Sequence, residues 1–423
     1  MHIFATKSNT NMQLYYTFSI LIVFAAFFSY INLRYLKLPS TIGVMIIAMI
    51  CSIALVGTGR TFPHLFDEMT NVVASVDFSE VLMGAMLNFL LFAGAIHISL
   101  HDLRKQKGPI IIFSTVGVIV STFVVGTVLY LITPLFHLQL PYIECLVFGA
   151  LISPTDPIAV IGILKRAGIR KSLEIKVAGE SLFNDGVAVV LFAVLLQLAR
   201  APHQEITFLE ISWLFIQESI GGLAVGLVLG YIGSRGIKNI DNYNVTVMIT
   251  LAIVMGGYLI TKFLHVSGPL TMVAAGLVIG NYGKSMAMSG TDKDYLDKFW
   301  ELIDEILNAI LFLIIGFEML LIPDLKQYWG IGIAVIFVVL LARFISIWLP
   351  SRIIPGVGKF DKKTITLLVW GGLRGGVSVA LALTIDSSLH QSIFLSITYY
   401  VVVFSIIVQG LTVGRLTKAQ GLV

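Results

Sequence analysis

Long apolar stretches separated by short polar ones recur from one end of the chain to the other. A transmembrane helix takes about 20 apolar residues. Thirteen stretches reach or approach that length: 14–33, 40–56, 81–100, 109–133, 141–165, 172–200, 207–235, 244–264, 267–283, 297–322, 329–351, 364–385 and 392–416. The pattern predicts an all-α polytopic membrane protein with about 13 transmembrane helices. The first stretch lacks a small-residue cleavage site, so it reads as a retained helix rather than a signal peptide.

Two stretches are interrupted. The fifth contains Leu151-Ile152-Ser153-Pro154-Thr155-Asp156-Pro157. Proline removes a backbone donor and clashes with the preceding turn, and it pushes the residue before it toward extended backbone. A break near Thr155 is expected. The twelfth contains Trp370-Gly371-Gly372-Leu373-Arg374-Gly375-Gly376. Each glycine weakens a helix by about 1 kcal/mol relative to alanine. The breaks lie seven spans apart, and an odd offset gives them opposite orientations. Spans 1–6 and 8–13 then read as inverted repeats. Their two broken helices are expected to cross at mid-membrane, the layout in which secondary transporters build ion sites. The plainer alternative is that proline and glycine are common in membrane helices.

Composition agrees with the class. Hydrophobic residues make up 57% and charged ones 12%, about half the charge of an ordinary soluble domain. The +4 net charge is dispersed through short loops and forms no patch for nucleic acid. The two cysteines, Cys51 and Cys145, fall in apolar spans, so no disulfide framework is expected. No Cys/His cluster has metal-ligand spacing, and no cofactor is expected. Of the 28 Lys and Arg residues, twenty fall on one side of the predicted membrane and four on the other. Positive charge marks the cytoplasmic side, which puts the N-terminus outside and the C-terminus in the cytoplasm. Asp67, Glu68, Asp77 and Glu80 then lie in an outer loop. The tail after Arg415 is short, and no soluble regulatory domain is expected within the chain.

The polar residues inside spans carry the chemistry. The sixth span contains Gly179-Glu180-Ser181-Leu182-Phe183-Asn184-Asp185-Gly186. A charge at mid-bilayer costs about 3 kcal/mol or more, so such residues face the protein interior and tend to be functional. Glu180 and Asn184 share one helix face, as do Ser181 and Asp185. Asp156 supplies a second carboxylate from the broken fifth span, and unwound backbone at Thr155 frees carbonyl oxygens. Oxygen ligands suit hard, weakly held alkali cations. A buried carboxylate can instead hold a proton. Asp185 is thus the candidate switch, occupied by a cation or a proton in turn. The plain alternatives are an N-cap role for Asp156 and a bond to the i−4 carbonyl for Ser181.

Arg374 is a permanent cation on the other broken helix, and a buried arginine calls for an acidic partner. Glu180 is the expected partner, forming a structural ion pair, with Asp156 as the alternative. Arg343, within the eleventh span, should meet an acidic residue or a helix end. Glu218 reads as a packing or rim residue, and Glu318 can snorkel. Glu301, Asp304 and Glu305 form either a negative funnel or, on the plainer reading, a solvated helix end. His97 and His101 are expected at an interface with water.

Gly149–Val160 and Gly179–Gly186 resemble the monovalent cation/proton antiporters of the sodium/proton exchanger (NhaP-like) family. Leu36–Gly43, Leu277–Asn281 and Trp370–Ser378 resemble further segments of it, so the likeness covers most of the chain. The resemblance implies a homodimer. It also implies a dimerisation part (about 1–105 and 240–322), a mobile ion-carrying core (about 106–200 and 326–418) and a linking seventh helix. Asp185 resembles the essential ion- and proton-binding aspartate. Asp156, Thr155 and Ser181 resemble its neighbours, and together these four would hold the transported monovalent cation. Asn184 resembles the asparagine of members that exchange one cation for one proton. Glu180 and Arg374 resemble the structural ion pair. One position departs: Ala93 falls where many relatives carry a glutamate that reaches the site.

The expected function is electroneutral exchange of Na⁺, Li⁺ or K⁺ for H⁺ in a bacterial-type plasma membrane, by alternating access. The alternative of another class is a passive cation channel using the same acidic site. Proton-coupled uptake of an organic solute is disfavoured by the scarcity of aromatic and polar groups. An intramembrane serine protease is disfavoured because Ser181 has no histidine or lysine evidently beside it.

Overall fold

A computed structural model describes residues 2–58, 84, 86–156, 160–162, 164, 168–200, 207–238, 240, 242–283, 290–320, 322, 324–354 and 360–421. All regular elements among them are helical. In chain order the helices are α1 (His2–Ile31), α2 (Ser40–Thr58), α3 (Leu87–Ile96), α4 (Leu100–Lys105), α5 (Lys107–Ser114), α6 (Val116–Ile132), α7 (Tyr142–Ile152) and α8 (Lys171–Arg200). They continue as α9 (Phe208–Ile237), α10 (Tyr243–Leu264), α11 (Gly268–Val278), α12 (Gly290–Glu318), α13 (Trp329–Ile353), α14 (Lys362–Trp370), α15 (Gly376–Leu383), α16 (Gln391–Phe404) and α17 (Gly410–Ala419). Eight helical stretches among the described residues are long and apolar enough to cross a membrane, with Leu87–Ile96 and Tyr142–Ile152 as shorter apolar helices. Helix also lies within the predicted stretches 267–283, 297–322 and 364–385. The predicted acidic outer loop, Pro157, Lys165 and Arg166 lie outside the described residues.

The helix boundaries follow local chemistry. Thr207 and Glu210 form a capping box at the start of α9, with the Thr207 N–H donating to Glu210 Oε2 at 2.8 Å. Asn242 caps α10 and Ser267 caps α11, where Pro269 occupies the first turn. Asp361 caps α14, accepting the Thr364 N–H at 3.1 Å. The outer faces of α9 and α10 remain apolar, with Trp213, Leu227 and Phe263 exposed. In a helix that spans a bilayer this is a lipid-facing stripe rather than a defect.

Packing falls into two sets. In one, α2 lies on α12, α3 on α11 and α12, and α11 on α9. In the other, α6, α7 and α8 pack with one another, and α6 packs on α13, which in turn packs on α16. One apolar core includes Phe312, Ile315 and Met45 and is joined by Val379 of α15 and Tyr399 of α16; another includes Phe148, Phe394 and Val335. Helices α8 and α15 bring the second set against the first, at α11 and α12. At one end the Arg200 guanidinium grips Asp386 with Nε and Nη2, at 2.6 and 3.1 Å. Nearby in the chain, His390 Nδ1 lies 2.7 Å from Glu144 Oε2.

Both predicted breaks are present. Helix α7 ends at Ile152 and Ser153–Asp156 is non-helical. Helix α14 ends at Trp370, and α15 begins only at Gly376. The unwound segments lie side by side, joined by a backbone bond from Asp156 N–H to Leu373 O at 2.8 Å.

Candidate ion site

The site is built where the two breaks meet the middle of α8. Thr155 Oγ1 and Ser181 Oγ share a hydrogen bond of 2.9 Å. The Asn184 amide donates to Thr155 Oγ1 at 2.8 Å, and its oxygen accepts the Thr155 N–H at 3.5 Å. Thr155, Ser181 and Asn184 are all buried. The Asn184 oxygen takes up the Thr155 N–H of the unwound segment, so that donor is not left unsatisfied in an apolar interior. Asn184 is thereby a clasp on the unwound segment.

Asp185, one residue on, is 7% exposed. It faces a cavity of about 730 Å³ that Asp156 also lines. The cavity opens beside the exposed Ser99 and Lys171 and reaches Ser378 of α15. Thr155, Ser181 and Asn184 do not line it. Of the five residues expected around the ion, the structure therefore brings two carboxylates to the cavity and leaves the two hydroxyls and the amide outside its lining. Among the described residues no cluster of three or more His, Cys, Asp or Glu has metal-holding geometry. That donor set suits a weakly held monovalent cation better than a resident transition metal.

Asp156 packs against Gly375. A Cβ at Gly375 would clash with the Asp156 carboxylate and stand 2.7 Å from its Cβ. Glycine at 375 thus lets the carboxylate occupy the junction of the two breaks.

The predicted ion pair needs correction. Glu180 is bonded to Arg343, not Arg374, with Arg343 Nη1 2.5 Å from Glu180 Oε1. Arg343 Nε also donates to Leu368 O at 3.3 Å. Its reach depends on Gly372, where a Cβ would stand 2.6 Å from Arg343 Nε. Arg374, buried at 1% exposure, instead donates from Nη1 to Ser153 O and Pro154 O, at 2.5 and 2.9 Å. Those carbonyls follow directly on the C-terminal end of α7. A cation suits that end because the helix dipole makes it negative. A carbonyl-rich helix end can satisfy a buried guanidinium without a carboxylate, which leaves Glu180 to Arg343.

Three contributors were not singled out from the sequence. A π-turn at Ser405–Gln409 turns Ser405 Oγ to accept the Arg374 N–H at 2.8 Å while donating to Gln409 Oε1 at 2.7 Å. Gln409 Nε2 in turn donates to Trp370 O at 3.1 Å. Ser378 lies one turn past the second break. Ala93 lines the cavity. His97, expected to be merely solvated, lies 3.2 Å from Asp297.

Comparison with known proteins agrees with this architecture. Residues 22–419 match the family model described as sodium/hydrogen exchanger, transmembrane. The chain is 49% identical to the Na(+)/H(+) antiporter NhaP of Pseudomonas aeruginosa over 398 residues, covering 92% of this chain and 93% of that protein. It is 34% identical to the Na(+)/H(+) antiporter NhaH of Halobacillus dabanensis, over 92% of this chain and 94% of the other. The solved structure of the sodium proton antiporter MjNhaP1 from Methanocaldococcus jannaschii at pH 8 superposes with a TM-score of 0.75. That superposition spans 96% of this chain and 98% of the other, at 19% identity. The broken helices, the acidic cavity and these likenesses lead to one assignment: the chain is a multi-pass membrane protein of the sodium/hydrogen exchanger family.

Proposed function

We propose that the protein exchanges Na⁺ (or Li⁺, with K⁺ as a further candidate) for H⁺, one for one, with both ions competing for the Asp185 carboxylate. The carrying observation is the shared cavity of Asp185 and Asp156 at the junction of two unwound helices. The relatives named as Na(+)/H(+) antiporters support the choice of ions. A carboxylate that holds a cation releases its proton, and the reverse. Exchange follows when only the occupied site changes sides, which is alternating access. Asp156 supplies the second carboxylate in the cavity, Thr155 and Ser181 stand behind it as oxygen ligands that would join only on rearrangement of their mutual hydrogen bond, and neutral Asn184 adds no charge of its own.

The architecture we assign has thirteen crossings in inverted repeats. Helices 1–3 and 8–10 (about 1–105 and 240–322) form the dimerisation part. Helices 4–6 and 11–13 (about 106–200 and 326–418) form the moving core of a homodimer, with helix 7 as linker. The division of packing into two sets supports this reading. With the N-terminus outside a plasma membrane, the cavity mouth beside Lys171 faces the cytoplasm.

The test is purified protein in proteoliposomes under an imposed Na⁺ gradient, with internal pH recorded at clamped and unclamped voltage. Proton movement against its own gradient is expected, independent of voltage. It should be absent in Asp185→Asn. Sodium leak without proton movement would identify a channel, and voltage-dependent exchange would overturn the one-for-one ratio.

A further inference from the structure

One face of α12 descends into the cavity. Asp297, Glu301, Asp304, Asn308 and Leu311 all line it, and they follow one another at steps of three or four residues, the spacing of a single helix face. Exposure falls along that face, from exposed Glu301 through half-buried Asp304 to buried Asn308. Glu305, off the face, is exposed and does not line the cavity. The plainer expectation of a solvated helix end thus holds for Glu305, while Glu301 and Asp304 line a pocket.

At its inner end two polar groups lack partners among the described residues. Asn308 is 1% exposed, and its amide nitrogen donates to Asp304 O at 2.7 Å, which fixes the side chain and leaves Oδ1 unbonded. Ser378 is 1% exposed with its Oγ unbonded. It reaches the same space from α15, where Gly376 packs on Leu311. A buried polar oxygen without a partner is costly, and two at one cavity point to a ligand that takes oxygen donors.

We propose that Asp304, the Asn308 amide oxygen and the Ser378 hydroxyl oxygen form a second monovalent-cation position, beside Asp156 and ahead of Asp185. One carboxylate and two neutral oxygens give a weak site for a partly dehydrated cation, which suits an ion that must leave again. The rise of 1.5 Å per residue puts Asp304 about 10 Å along α12 from Asp297, and Asp185 about 17 Å along α8 from Glu174 at the mouth. A cation entering from the mouth would meet Asp304 first. In this chain the position supplies a carboxylate on the wall opposite Asp185, in the same cavity that Ala93 lines without offering one. The inference rests on the cation-exchange reading, but its binding test does not require turnover.

Full-length protein is purified as wild type, Asp304→Asn, Asn308→Ala, Ser378→Ala, Asp185→Asn and the Asp185→Asn/Asp304→Asn double variant, each confirmed monodisperse. Binding of radiolabelled Na⁺, displaced by unlabelled Na⁺, is measured alongside exchange in proteoliposomes. Asp185→Asn should still bind Na⁺, and Asp304→Asn in that background should remove the residual binding. In exchange, Asp304→Asn should raise the KM for Na⁺ about tenfold, and Asn308→Ala and Ser378→Ala by smaller factors. The proposal is overturned if Asp185→Asn binds no Na⁺, if the double variant binds as Asp185→Asn does, or if the KM of Asp304→Asn matches wild type. Absence of exchange in the wild type with Asp304-dependent binding retained would instead reject the antiport reading alone.

Discussion

Removing the Arg343 guanidinium strands a carboxylate deep inside the protein. Glu180 is 3% exposed, and its Oε1 lies 2.5 Å from Arg343 Nη1. At that separation and an effective dielectric constant of about 20, the gross attraction is about 7 kcal/mol. Desolvation of each ion offsets several kcal/mol of it, so the pair contributes far less than its attraction. Losing one partner is different, because the survivor keeps its desolvation cost with nothing to oppose it. Arg343→Met should therefore cost about 3–5 kcal/mol. Glu180→Leu should also destabilise, and the double variant should be less damaged than the sum of the two. We expect a coupling energy of about 2 kcal/mol, within the range of contacting pairs. The assay is equilibrium unfolding of the purified protein in mixed micelles of rising SDS content. A parallel cycle joins Glu180 to Arg374, whose guanidinium donates to the Ser153 and Pro154 carbonyls, and should couple by less than about 1 kcal/mol. Stronger coupling of Glu180 to Arg374 than to Arg343 would refute the pairing seen here.

Gly375→Ala should abolish Asp185-dependent exchange while leaving a folded protein, because the new methyl occupies the place of the Asp156 carboxylate; internal-pH traces and size-exclusion profiles read the two effects separately. Asp361, in the loop before α14, is held below the usual carboxylate range by hydrogen bonds from the Thr364 side chain and backbone N–H. Its depressed folded-state pKa means that the cap's contribution is present above the unfolded value of about 3.9 and is lost as pH falls through the folded value. Asp361→Ala should cost about 1 kcal/mol at neutral pH, and the difference from wild type should vanish in strongly acidic unfolding titrations.

Much of the fold was readable because a bilayer allows few solutions. A long apolar stretch has little choice but helix, so the stretches at 40–56, 109–133 and 329–351 appear where hydropathy put them. The breaks were equally legible, since Pro154 and the Gly371–Gly376 run state their backbone consequences locally. What depended on distance in space was not. Nothing in the sequence distinguishes Arg343 from Arg374 as the partner of Glu180, because the choice is made by how α13 lies against α8. The face Asp297-Glu301-Asp304-Asn308 had a readable period, yet only the position of α3 and α15 opposite it makes it the wall of a cavity rather than a wetted helix end. The π-turn at Ser405 carried no proline or glycine signal at its start.

The exchange of partners at Glu180 alters the charge sum of the buried junction. Asp156, Asp185 and Glu180 bring three negative charges, and Arg343 and Arg374 bring two positive ones. With the carboxylates ionised, the junction carries a net charge of minus one. A single sodium ion or a single proton brings it to zero. Moving an uncompensated charge through a low-dielectric slab is far costlier than moving a neutral group. On the exchange mechanism proposed above, the vacant junction would thus carry its own electrostatic anchor, and loading by either ion would release that anchor to the same extent. Asp304 stands outside this sum, because it belongs to α12 and not to the elements that meet at the breaks.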